Sequence, residues 1–147
     1  MTTSAAVSDR RPARLGLRWG LGLAAIVFGV MTLVSGGNVL FGGAAARAEA
    51  GHVVDFVLIF NFCAGFLYVA TGIATLLGKR WSLQLARGLA ATTLLVFAAL
   101  GVHVALDGTF ETRTVAAMTV RSVFWIGQAL ALAHTFKNQA GSLPNTR

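Results

Sequence analysis

Four stretches of this 147-residue chain, Leu17–Leu40, Val53–Leu77, Leu83–Leu106 and Thr114–Phe136, are almost wholly apolar. Each is long enough for an α-helix to cross a bilayer, which takes about 20 residues. In lipid only helices and closed barrels satisfy their own backbone, and apolar runs of this length read as helices. The chain is therefore expected to be all-α, an integral membrane four-helix bundle over residues 15–137, with polar tails at 1–14 and 138–147. Composition agrees: 56% of residues are hydrophobic and 12% charged, about half the charged share of a soluble domain.

The start of the chain resembles a targeting signal. Arg10-Arg11 is followed by an oily run, and Ala46-Arg47-Ala48 has the small-x-small pattern of a cleavage site. That run, Leu15 to Phe41, is much longer than the roughly 7–15 residues of a signal core, so it is read as a retained helix.

Basic residues set the expected orientation. Arg10, Arg11, Arg14, Arg18, Lys79, Arg80, Arg87, Lys137 and Arg147 fall on one side, and only Arg47, Arg113 and Arg121 on the other. Nine against three places both termini in the cytoplasm. A net charge of +7 is thus explained by lipid headgroups and topology, and no nucleic-acid partner is expected. The single cysteine, Cys63, excludes an internal disulfide and a CxxC motif. It is expected to be a buried, inert thiol.

Helical spacing aligns the few polar groups into stripes. They are Asn61, Gly65, Tyr68 and Gly72 on the second span, Thr92, Val96, Ala99, His103 and Asp107 on the third, and Arg121, Trp125, Gln128 and Thr135 on the fourth. Membrane helices pack through small and polar faces, so the three stripes are expected to face one another. Gly16-x-x-x-Gly20 is a further candidate for a close contact.

Two polar clusters, Ala46–Asp55 and Gly101–Val115, flank the spans on the outer side. At 1.5 Å per residue, Asn61 and Arg121 lie roughly 10–12 Å below the outer boundary and His103 roughly 5 Å below it. A charge at that depth needs a partner. The expected structural ion pair joins Arg121 to Asp55, or failing that to Glu111. The functional alternative is an outer ligand pocket built from Arg121, Asn61, His103, Asp55 and Trp125.

His52 and His103 each share a helical face with a carboxylate, Asp55 and Asp107 respectively. Neither spacing matches a ligand motif, so no metal is expected; were one bound, His52, His103 and Asp107 would hold it. A bis-histidine haem would need His52 and His103 at matching depth, and they match only loosely. The sequence assigns no cofactor. It contains no Ser-His-Asp set, nucleotide loop or paired catalytic carboxylate, so no catalytic residue is named and an enzyme is not the favoured reading.

The segment Phe66–Trp81 (FLYVATGIATLLGKRW) resembles the second helix of the DoxX-like small four-helix bacterial membrane proteins. There a G-x-x-L-x-x-G run leads to a basic cytoplasmic edge; here Gly72, Gly78, Lys79 and Arg80 stand in those places. The first span, with Arg14 and Gly29, is similar to that family's first helix. Leu33 or Val34 and Tyr68 lie where the family usually has Lys and Glu. The resemblance implies the four-helix fold; members of that family are linked to quinone-associated redox complexes or have no known role.

Together these observations lead to an expected multi-pass protein of the bacterial inner membrane, oligomeric or part of a larger complex. Its leading expected role is a non-enzymatic accessory or scaffold subunit. The alternatives are a small-ligand binding or transport protein, and a redox-linked subunit holding haem, quinone or metal.

Overall fold

The computed structural model describes residues 10–140, with side chains from 15 to 137. The polypeptide forms α1 (Arg10–Phe41), α2 (Gly43–Ala50), α3 (Asp55–Leu76), α4 (Trp81–Ala105) and α5 (Thr112–Ala140). Four of the five are long and apolar enough to cross a membrane: Leu15–Phe41, Asp55–Leu76, Trp81–Ala105 and Thr112–Lys137. These coincide with the four apolar runs to within a few residues. Large apolar side chains such as Val27, Val34, Phe66, Leu95, Val123 and Leu130 point outward and are exposed, as the lipid-facing surface of a multi-pass protein requires.

Three boundaries differ from expectation. Helix α1 is described from Arg10, the first described residue, and so already includes residues of the stretch read as a polar tail. Helix α5 continues to Ala140, beyond the expected end at 137. The remainder of both tails, 1–9 and 141–147, lies outside the described residues. The third difference is α2, GAAARAEA, a short helix that runs into the outer polar cluster.

The helices neighbour one another in the order α1, α3, α4, α5, and the ring closes only by a thin contact between α5 and α1. The α1–α3 contact is the closest. Gly22 and Gly29 of α1 meet Gly72 and Gly65 of α3 in antiparallel register, at a spacing of seven residues on each helix. A Cβ on Gly72 would sit 2.7 Å from the Gly22 carbonyl oxygen, and one on Gly29 would sit 2.9 Å from the Val69 backbone nitrogen. Backbones this close gain dispersion contacts that lipid cannot match. Gly16 and Gly20, by contrast, have nothing within 4 Å, so the Gly16-x-x-x-Gly20 pair is not a contact between these helices.

The expected stripes hold on α3 and α5 but shift on α4. Trp125, Gln128 and Thr135 of α5 are buried, and Gln128 Nε2 donates to the Leu21 carbonyl of α1 at 3.1 Å. On α4 the inward face is Ala86, Leu89, Thr93 and Leu100, whereas Thr92 and Ala99 are exposed. Thr92 Oγ1 donates to its own helix at Gly88 O, 2.8 Å away. A threonine that satisfies its hydroxyl this way tolerates lipid, so polarity alone did not mark the inward face.

Both α3 and α4 end in Schellman turns. Lys79 N donates to Ala74 O at the first, and Gly108 N to His103 O at the second. The left-handed residue is Gly78 in α3 (φ +68°) but Asp107 in α4 (φ 59°). A non-glycine residue here carries a steric penalty of about 1–2 kcal/mol, eased for Asp by local hydrogen bonding. Asp107→Gly should therefore raise the unfolding free energy in detergent by about 0.5–1 kcal/mol, and Gly78→Ala should lower it by about 1 kcal/mol or more. Denaturant titrations of the two variants side by side test the opposite signs.

Candidate functional site

The two polar clusters meet, and backbone groups are the meeting point. Glu111 Oε1 accepts the His52 backbone N–H at 3.0 Å. Arg113 Nη2 donates to the carbonyls of Glu49 at 3.1 Å and Ala50 at 3.5 Å, covering the C-terminal end of α2. A cation at a helix C-terminus complements both the free carbonyls and the dipole. Gly51 follows with φ +77°, and any Cβ there would collide with the Glu111 carboxylate. This clasp ties α2 and the start of α3 to the start of α5. Replacing Glu111 with alanine removes a charge-assisted bond of about 1.5 kcal/mol. The His52 amide should then exchange roughly tenfold faster in hydrogen-exchange mass spectrometry.

The expected Arg121 ion pair does not form. Asp55 pairs with Arg47 instead, on an exposed surface, and no other ion pair occurs among the described residues. Asp55 has a basic partner only eight residues away in sequence, and Glu111 is held by the clasp. His103 also lies apart from Arg121. Its Nε2 is 3.1 Å from the Thr109 carbonyl, and its ring packs on Gly108 and lies edge-on to Phe56. It therefore braces the α4–α5 loop. His52 and Asp107 line a shallow depression beside that loop, but no three His, Cys, Asp or Glu side chains gather among the described residues. Cys63 is on the side of α3 away from Asn61, as its spacing implies, but it is exposed rather than buried.

Behind the clasp, a cavity of about 380 Å³ opens between α1, α3 and α5. Ser35 and Asn38 of α1, Asn61 of α3 and Ala117 of α5 line its walls, and Glu49 and Arg113 stand at its rim. Its volume is within the range of small-molecule sites, about 300–1,000 Å³. Asn61 Nδ2 reaches only the sulfur of Met118, at 3.6 Å, and its Oδ1 is buried with no protein partner.

One to two turns deeper, three helices bring a set of polar atoms together. Tyr68 of α3, Thr93 of α4 and Trp125 of α5 are all fully buried. The Tyr68 hydroxyl interacts electrostatically with Thr93, Trp125 and Arg121. These approaches are loose: Tyr68 Oη, Thr93 Oγ1, Trp125 Nε1 and Arg121 Nε come near one another without closing a well-formed hydrogen bond. The Tyr68 and Trp125 rings pack with centroids 4.6 Å apart, and the Arg121 guanidinium lies 5.9 Å from the centre of the Phe28 ring of α1. Buried polar groups are nearly always satisfied, so four that close no bond at one locus make it the candidate site of the bundle.

Arg121, Asn61 and Trp125 therefore belong to one region of the bundle, and the structure adds Tyr68, Thr93 and Phe28 to it, while Asp55 and His103 serve the loops. Tyr68 was legible as the chain's only tyrosine, seven residues after Asn61 on the same helical face. Thr93 carried no comparable signal. Comparison of the chain with known protein families, curated proteins and solved structures finds no match.

Proposed function

We propose that this chain is a small-ligand binding protein of a bacterial cytoplasmic membrane, with both termini inside and the cavity opening on the outer face. The nine-to-three distribution of basic residues supports that orientation. One observation carries the functional reading: a cavity with Ser35, Asn38 and Asn61 in its wall lies one to two helical turns from a cluster of buried polar groups that close no hydrogen bond. A scaffold subunit has no use for either feature, and its apolar faces are equally what lipid demands. Quinone- or haem-linked roles draw no support from His103, whose ring nitrogen faces the Thr109 carbonyl.

The test uses protein in zwitterionic nanodiscs and a panel of small amphiphiles, followed by thermal unfolding. At least one member should raise the melting temperature by several degrees. Ala117→Phe, which fills the cavity from α5, should abolish the shift. A panel without effect on the parent protein, or shifts that survive Ala117→Phe, would remove the ligand-binding reading.

A further inference from the structure

Arg121 has no counter-charge anywhere in the described structure. Its helix begins at Thr112, so its Cα lies about 14 Å along the span. The carboxylates at that end of the bundle are Glu49, Asp55, Asp107 and Glu111, and none forms an ion pair with it. An intramembrane cation is ordinarily paired. The polar neighbours of Arg121 are neutral. Arg121 Nε and Trp125 Nε1 can only donate, while Tyr68 and Thr93 hydroxyls donate or accept. The Tyr68 hydroxyl, the neighbour that the other three share, is neutral, so it offers Arg121 a polar contact and no counter-charge. Among the described residues no carboxylate neutralises Arg121, so a group that does so comes from outside them.

The route and the body of that group follow from the cavity. Ala117 lies one turn above Arg121 on α5, about 6 Å along the axis, and Asn61 lies two turns above Tyr68 on α3. Between the polar positions the cavity wall is aliphatic, with Val54, Val57 and Leu58. At the rim Glu49 stands beside Arg113, so the rim adds little net pull on an anion. Arg121, outside the lining itself and one turn below its Ala117 wall, is a cation that no carboxylate offsets.

From this arrangement we infer that the site takes an amphipathic carboxylate, its oxygens held by Arg121, Trp125 and Tyr68 and its apolar body in the cavity above. This deepens the ligand-binding reading and rests on it. Arg121 supplies the charge, the indole N–H and the phenol supply directional bonds, and Asn61 offers a polar contact part-way up.

Trp125 is a built-in reporter. Trp19 and Trp81 are about half exposed and can be replaced with phenylalanine, leaving Trp125 as the only tryptophan. In that background, in zwitterionic nanodiscs, octanoate should change the Trp125 emission saturably. Octanol, with the same tail and no charge, should bind at least tenfold more weakly. Arg121→Gln should weaken octanoate by tenfold or more and leave octanol unchanged, while Glu49→Gln should tighten octanoate a few-fold. Discs containing anionic lipid separate the sources: if lipid supplies the carboxylate-like group, they alone should reproduce the emission change and block octanoate. Saturation by octanol equal to that by octanoate, insensitive to Arg121→Gln, would overturn the anion inference while leaving a ligand cavity. No response to octanoate, octanol or anionic lipid would overturn both.

Discussion

Gly72→Leu should separate α1 from α3 and leave the protein unable to survive detergent extraction as a monodisperse species. Even alanine is too large at this position. Its Cβ would approach the Gly22 carbonyl oxygen to 2.7 Å and the Ile26 backbone nitrogen to 2.9 Å. Both are main-chain atoms of a continuous helix, so relief requires the helices to move apart. Overpacking of this kind costs about 1–3 kcal/mol for alanine, and leucine adds three further carbons to the same gap. The matched control is Gly20→Ala on α1, which meets nothing within 4 Å. There a better helix former replaces glycine and stability should rise by about 0.5–1 kcal/mol. Urea unfolding of Gly72→Ala and Gly20→Ala in mild detergent, read by circular dichroism, would show the midpoint moving in opposite directions. Equal effects would mean that α1 and α3 do not touch through these glycines.

Arg121→Leu should stabilise the ligand-free protein. Had Arg121 been tied to Asp55, its removal would strand a carboxylate and cost roughly 3–5 kcal/mol. The structure leaves no such partner to strand. What is removed is a partly buried cation whose presence in a span is unfavourable by up to about 2.5–3.5 kcal/mol. Against that stand partial exposure and the cation–π contact with Phe28, 5.9 Å from the ring centroid, which contributes about 0.5–1 kcal/mol. The net expectation is a gain of about 1–2 kcal/mol in delipidated protein, together with loss of the octanoate response. A stabilising substitution that abolishes binding is the usual sign of strain kept for function. A loss of 3 kcal/mol or more would mean that Arg121 serves structure, through a partner within the bundle.

The spans were legible because lipid imposes a single rule along the whole chain. Apolar length alone located α1, α3, α4 and α5, and spacing alone found the buried Trp125, Gln128 and Thr135 of α5. The eight-residue α2 was not legible: GAAARAEA mixes small and charged residues, and nothing in its hydropathy separates a short helix from a loop. The partner of Arg121 was misread because depth says which charges need neutralising and says nothing about which acids are free. Arg47 reaches Asp55 first through chain proximity, and Glu111 is taken by a backbone amide of the other loop. Thr92 and Thr93 differ by one position and were indistinguishable by pattern. Only the packed neighbours reveal that Thr93 faces Tyr68, whereas Thr92 returns its proton to Gly88.

Asn61 joins the two layers of the site, since it lines the cavity while its carbonyl oxygen is buried without a partner. Asn61→Cys in a Cys63→Ala background therefore tests the central claim most directly. Intact cells would be treated with a membrane-impermeant thiol reagent, with and without octanoate. The account predicts labelling from the outer face, slowed several-fold by octanoate, and no labelling of a cysteine placed at the lipid-facing Phe66 position. Labelling of Asn61→Cys only after the cytoplasmic face is exposed, or at a rate indifferent to octanoate, would contradict it.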